Sequence, residues 1–255
     1  MKKEVAENIL TNGNLTLRQK AIVEFMRDGP RSTGQSGHWL RCAADVSRRD
    51  RYTLDQDIKL FFAVANVVFD PFISCWDTKR VHDSARPWTL VRHLYKGQAV
   101  VGYLSLGKGF GPIAAENWLP YSPANFVTPP FAGHTSGHAT ASGAAAKMLD
   151  LFTGAKRYEA VAIRVAGDLT ESGFYAAHMQ ALNGVVDPKM PDNRTVRLAM
   201  PPFSGTAEMA AESRMLGGYH IATDNRVGLE VGRKIAAYSW PKYRAYFDGT
   251  AKVSE

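Results

Sequence analysis

Three short segments, far apart in the chain, carry the residue types needed to hold a multiply charged oxyanion. The first is Trp76-Asp77-Thr78-Lys79 with Arg86-Pro87, which sets two cations seven residues apart. On one continuous helix that offset returns to the same face two turns along, although Pro87 draws Arg86 out of helical geometry. Taken alone, a Lys and an Arg at this spacing read more often as a solvated face. The second segment runs from Pro129-Pro130-Phe131 through Ala132-Gly133-His134-Thr135-Ser136-Gly137-His138. Ser136 and Gly137 stand where a helix start would present unpaired amides, and a glycine there lets an oxyanion reach the backbone. His138 then falls just inside the helix, where a lone histidine is as a rule structural. The third is Ser213-Arg214-Met215-Leu216-Gly217-Gly218-Tyr219-His220, with Asp224 four residues on. An unbroken helix would point Arg214 and His220 to different sides, but Gly217-Gly218 supplies a break that could turn both to one centre. Asp224 could accept a hydrogen bond from one ring nitrogen of His220 and leave the other free as a ligand. A glycine stop followed by surface charges fits this third piece as well.

The elements that must position these segments are helical. Leu17, Ala21, Ile22 and Phe25 recur at helical spacing between Thr16 and Asp28, and Gly29-Pro30 ends the run. Arg31 to Gly37 reads as a loop, and Trp39, Leu40, Ala43 and Val46 predict a second helix. Thr53 caps a long apolar helix carrying Ile58, Phe61, Phe62, Ala65, Val68 and Phe69 toward Trp76 and Lys79, with Pro71 as a candidate kink. Glycines and prolines crowd Gly97 to Phe131, which predicts a long irregular excursion. Gly137 to Phe152 is dominated by small residues and predicts a central helix with close neighbours. Met179 to Phe203 reads as a second long loop, followed by helices from about Thr206 to Leu216 and from about Asn225 to Tyr238. The sum is an all-α bundle joined by two long loops, with residues 1–255 as a single domain.

Composition narrows the partners. The chain has 255 residues, 45% of them hydrophobic, enough for a substantial core. Its net charge of +7 is spread over 31 Lys and Arg with no run of five or more, which argues against nucleic acid. A basic excess is also what a fold needs if several cations are committed to one buried anion. The longest apolar stretch, Leu60 to Phe69, is interrupted by Asn66 and bracketed by Asp57 and Asp70. It falls short of the roughly 20 residues that cross a bilayer, so it reads as a buried helix and no membrane span is expected. Met1 to Asn8 lacks the apolar region of a signal peptide. Cys42 and Cys75 allow one bridge at most and leave the compartment open.

Taken in order, Lys79, Arg86-Pro87, Ser136-Gly137-His138, Ser213-Arg214, Gly217 and His220 resemble the signature shared by vanadium haloperoxidases and type 2 phosphatidic acid phosphatases. Weaker similarity to the haloperoxidase branch extends over Asp28-Gly29-Pro30, Gly37-His38-Trp39, Trp76 to Arg92, Pro129 to Ala146 and Ser213 to Gly232. The resemblance implies a helical bundle of the haloperoxidase and acid phosphatase type, with vanadate as cofactor and phosphate able to substitute. In that family the cations matching Lys79, Arg86 and Arg214 neutralise the vanadate oxygens, and the groups matching the Ser136 hydroxyl and Gly137 amide donate to it. His220 matches the covalent vanadium ligand, and His138 matches the acid-base histidine. The activity implied is oxidation of halide, or of a small organic substrate, by hydrogen peroxide. Trp76 is the haloperoxidase form of the motif, and Phe131 falls where chloroperoxidases carry Phe. Thr135 departs from the proline that often precedes the serine, which predicts a looser loop. Family members are usually much longer, with additional helices before the region of Thr16. The chain is therefore expected to expose apolar surface and to cover it by homo-oligomerisation.

The main rival is a soluble acid phosphatase, because phosphate and vanadate share charge and shape and His220 could attack a phosphoryl group. A zinc site is a second rival, since His134 and His138 sit at i and i+4 with His82 and His220 as further candidates, but three nearby cations would repel a divalent ion. A non-catalytic relic of the fold is a third. Gly107-Lys108-Gly109-Phe110-Gly111 resembles a phosphate loop without its following Lys-Ser/Thr, and reads as a flexible loop. His82, His93 and His178 read as structural.

Overall fold

The small residues of the Gly137 to Phe152 segment place one helix at the centre of the molecule. In the computed structural model, which describes residues 1–29, 32–105, 108–171 and 195–252, this helix is α6 (Gly137–Thr153), and nearly all of its first three turns is buried. It is preceded by α1 (Lys2–Asn12), α2 (Leu17–Phe25), α3 (Gly34–Asp50), α4 (Leu54–His82) and α5 (Pro87–Leu94). After it come α7 (Phe203–Leu216) and α8 (Ala222–Phe247). α6 packs most extensively on α8, and then on α4 and α7.

The α6–α8 crossing is close because glycines face backbone on both sides. A Cβ added at Gly143 would meet Leu229 O at 2.6 Å, and one at Gly232 would lie 2.7 Å from Ala144 N. Thr53 and Gln56 close a reciprocal cap at the start of α4, the arrangement expected of Thr53. The helix continues through Pro71, past both Asn66 and Asp70. Its apolar length therefore exceeds the Leu60–Phe69 stretch. A window within Leu54–Leu94 reaches a mean hydropathy of 1.6, long and apolar enough by length and composition to cross a membrane, with 39% of it buried in the fold.

The helical class is as expected, but several elements were not. Two antiparallel two-stranded sheets join the bundle: β1 (Ala99–Tyr103) with β2 (Phe110–Ala114), and β3 (Arg157–Val165) with β4 (Thr195–Pro202). The first occupies part of the predicted excursion. Gly109 sits at φ +66 in its turn, so Gly109-Phe110-Gly111 belongs to a hairpin, while Gly107 lies outside the described residues. β4 occupies the end of the predicted second loop, whose residues 179–194, like His178, lie outside the described residues. α3 begins within the stretch read as a loop, and α8 continues past Tyr238 through Pro241. α1 and α5 had no predicted counterpart. Cys42 and Cys75 are both buried and free, so no bridge joins them.

Replacing Gly232 by Ala drives a methyl group into the α6 backbone, which cannot retreat without opening the central crossing. We expect Gly232→Ala to lose on the order of 2–3 kcal/mol in urea unfolding; a loss below ~0.5 kcal/mol would show that the crossing tolerates separation.

Candidate active site

The three cations of the sequence pattern meet around the start of α6. Lys79 lies in the last turn of α4 and is buried, with its Nζ donating to Ala132 O and Gly133 O at 2.8 Å and to Thr135 O at 2.5 Å. α4 ends at Asp83, in left-handed geometry, and the chain re-enters helix with Arg86 as N-cap and Pro87 in the first turn of α5. Proline suits that position because its missing N–H would have no helical partner. Arg86 is therefore free of both helices. Its Nε donates to Phe131 O at 2.6 Å, its Nη2 to Ala132 O at 3.2 Å, and its Nη1 to Tyr219 O at 3.0 Å. The same Nη1 stands 3.1 Å from His220 Nε2.

Ser136 is the N-cap of α6, and its hydroxyl accepts from Ala139 N–H at 3.4 Å. The Ser136 amide donates to Asp224 O at 3.1 Å, which ties the start of α6 to the start of α8. Gly137 is the first helical residue, so its amide has no partner within the helix. A side chain there would meet the Trp76 ring at 3.3 Å. Trp76, Phe131 and the two cations form one wall: the rings are 5.3 Å apart, with Arg86 Cζ 5.0 Å and Lys79 Nζ 5.5 Å from the Phe131 centroid. Thr135 Oγ1 lies 3.3 Å from Thr140 Oγ1, a tie to α6 that a proline lacks.

Arg214 closes the far side. It is 2% exposed, stacks 4.3 Å from the Tyr219 ring centroid, and keeps Nε and Nη1 buried with no hydrogen-bond acceptor among the described residues. Buried guanidinium donors without acceptors are costly, and an oxyanion supplies what they lack. The Gly217-Gly218 break does what the pattern required. Tyr219 N and His220 N both turn back to Arg214 O, at 2.9 and 3.3 Å, and Gly218 takes φ +77.

Hydrogen bonding fixes the protons on both histidines. His220 Nδ1 lies 3.0 Å from Asp224 Oδ2, as expected, so Nδ1 carries the hydrogen and Nε2 keeps its lone pair. His138 Nε2 lies 3.0 Å from Arg27 O, which can only accept, so Nδ1 is the basic nitrogen of the neutral ring. Burial, reinforced by Arg86, Lys79 and Arg214, holds His220 well below its ordinary range; burial and Arg214 do the same to His138. Burial also lowers Arg86 and Arg214 to about 10, and raises Asp224.

Two further groups had no assigned role in the pattern. His134, one of the zinc candidates, places Nδ1 3.1 Å from Asp224 Oδ1, so Asp224 serves two histidines. His82 meets only the edge of His134, with ring centroids 5.3 Å apart, and among the described residues no cluster of three or more His, Cys, Asp or Glu could hold a metal ion. Asp28 sits at φ 49 just beyond α2, with Oδ1 2.9 Å from His38 Nδ1 and Oδ2 3.9 Å from His138 Nε2. Asp28 and His38 also line a cleft of about 950 Å³ with Glu24, Arg41, Asp45 and Arg164. The Asp28-Gly29-Pro30 and Gly37-His38-Trp39 stretches were visible only as weak similarity. Their meeting beside His138 is tertiary.

The family model of the VCPO second helical-bundle domain matches residues 59–249, well over half of the chain. Among curated proteins none matches. Among solved structures, a holo-type bacterial vanadium-dependent chloroperoxidase superposes with a TM-score of 0.79 at 20% identity, over 97% of this chain and 48% of that one. A bacterial vanadium-dependent iodoperoxidase gives 0.67 at 22% identity, over 94% and 49%. The chain spans about half the length of these structures.

Burial holds the Lys79 ammonium down to about 8, against an ordinary 10.5. Between those values the unfolded chain binds the proton that the folded chain releases, so this residue makes stability rise with pH across that window and adds no such slope below it. In anion-free buffer, the unfolding free energy of the wild type relative to Lys79→Met is expected to climb from pH 8 to pH 10. A flat difference would mean that Lys79 is not confined as described.

Proposed function

Because the chain belongs to the vanadium haloperoxidase family through its helical-bundle domain, we propose that it oxidises halide with hydrogen peroxide, using vanadate held at the start of α6. The observation that carries this reading is the cluster of three buried cations around a free histidine nitrogen. Lys79, Arg86 and Arg214 are all buried, Arg214 has two nitrogens without acceptors among the described residues, and His220 presents an unprotonated Nε2 among them. These residues fit vanadate: the cations and the Gly137 amide would neutralise its oxygens, the Ser136 hydroxyl would donate to one of them, and His220 Nε2 would ligate the metal.

Bound vanadate supplies Lewis acidity that polarises peroxide toward attack by halide. The chain's own residues do the rest. Asp224 keeps the His220 hydrogen on Nδ1, so the ligating nitrogen stays basic. His138, neutral and with Nδ1 free of its hydrogen, would take a proton from entering peroxide and return it to the departing hypohalite, which leaves as hypohalous acid. Asp28 lies 3.9 Å from His138 Nε2 and also lines the 950 Å³ cleft. Trp76 and Phe131 shield the cations on the opposite side.

The free Nε2 of His220 also supports a second reading, hydrolysis of a phosphomonoester. There Nε2 attacks phosphorus, a phosphohistidine forms, and His138 protonates the leaving oxygen. The substrate anion would occupy the same donors, so kinetics must separate the two.

Halogenation of monochlorodimedone with bromide or chloride and peroxide is expected only after addition of orthovanadate, and to fall at least about a hundredfold in His220→Ala. Hydrolysis of p-nitrophenyl phosphate that vanadate inhibits, with no halogenation, would overturn the first reading in favour of the second. Lys79 adds a pH signature. Orthovanadate affinity should weaken as pH rises through about 8, where the free ammonium titrates, and in Lys79→Arg that contribution should be absent.

A further inference from the structure

α4 carries an apolar stripe that the rest of the bundle leaves uncovered. Leu54, Ile58, Phe62, Ala65, Phe69, Ile73 and Trp76 are all exposed, the two isoleucines at 61% and 58% and Phe69 at 64%. The opposite side of the helix, with Leu60, Ala63, Val64, Val67 and Val68, is fully buried in the core. The exposed residues are spaced by steps of four, four and three, twice over, so the pattern repeats every eleven residues. That period is close to the natural turn of a straight helix, and the stripe therefore runs along the axis without winding around it.

The order of side chains reads the same in both directions about Ala65: Ile-Phe-Ala-Phe-Ile, closed by Leu54 at one end and Trp76 at the other. We infer that this face docks on its own copy, α4 against α4 in antiparallel sense, with a two-fold axis passing through Ala65. An isologous contact requires a surface complementary to itself under a half-turn, and this stripe has that property within one residue throughout. Phe62 then packs on Phe69 of the second copy, Ile58 on Ile73, and Leu54 on Trp76. The small side chain at the centre lets the two helices approach closely.

The polar residues beside the stripe agree. Lys59 and Asp70 each follow a stripe residue on the same flank, and the half-turn sets Lys59 of one copy beside Asp70 of the other. Asn66 meets its own equivalent at the axis, a polar pair that fixes register. The acids near the ends are neutralised within each chain, Asp55 by Lys59 at 2.7 Å and Asp77 by Arg80 at 2.9 Å. Phe62 is steadied edge-on by Tyr243 and Phe247 of α8, 5.5 and 5.8 Å away, so the centre of the face is held in place before any partner arrives. Trp76 at one end of the stripe also borders the anion pocket; the inference does not depend on what that pocket binds or catalyses.

Sedimentation of the chain at micromolar concentration is expected to give a dimer, and Phe69→Glu a monomer with unchanged helix content. Because position 65 lies on the axis, Ala65→Cys should form a disulfide-linked dimer on mild oxidation, whereas Arg80→Cys, exposed on the same helix but far from its own equivalent, should not. A monomeric wild type overturns the inference, whether it remains free or binds vesicles of phosphatidylcholine and phosphatidylglycerol. So does a dimer that Phe69→Glu leaves intact, or one that cross-links through Arg80→Cys and not Ala65→Cys. Should Phe69→Glu fail to fold, the two cysteine variants decide the matter.

Discussion

Lys79, Arg86 and Arg214 are carried into a pocket that water barely reaches, each no more than 5% exposed, and much of the fold serves to make that tolerable. Burying one cation is expensive, and burying three beside one another adds mutual repulsion. The chain offsets the cost for two of them with backbone carbonyls. Ala132 and Gly133 turn their oxygens to Lys79, and Phe131, Ala132 and Tyr219 turn theirs to Arg86. Among the described residues, Arg214 receives only an aromatic face and the more distant charge of Asp28. That imbalance gives the pocket its chemical preference, since a group bringing several oxygens and negative charge relieves all three cations at once.

The glycines of the central crossing serve the same end. α6 and α8 approach so closely at Gly143 and Gly232 that their starts are brought together, and the Ser136 amide reaches Asp224 O. Asp224 thus joins three duties: its carbonyl fixes the head of α6, and its carboxylate orients His220 and His134. Few substitutions at that position could keep all three.

What was legible in the sequence was the part encoded locally. The helix start at Ser136, the Gly217-Gly218 break, the Thr53 start and the pairing of Asp224 with His220 each depend on neighbours a few residues away, and each appears as expected. α1 escaped because its buried face mixes Val5 and Ile9 with Asn8 and Asn12, whose Nδ2 groups donate to distant carbonyls. The face has no clear apolar period when read alone. α5 has only eight residues, and the prolines and glycines around both sheets masked their strands. The Asp28–His38 pair beside His138 depends on three separate segments, and no local spacing announces it.

α1 fastens the histidine-bearing turn from outside. Asn8 Nδ2 donates to His220 O at 2.9 Å, Asn12 Nδ2 to Leu216 O at 2.7 Å, and Glu4 accepts from Thr223 N–H at 2.9 Å. These ties join residues more than 200 positions apart. During synthesis α1 leaves the ribosome long before the turn it must clasp, so this side of the pocket closes only once that turn has emerged. A nascent chain stalled before α7 would already possess Lys79, Arg86 and the α6 head, and still lack Arg214 and the His220 turn that complete the anion pocket.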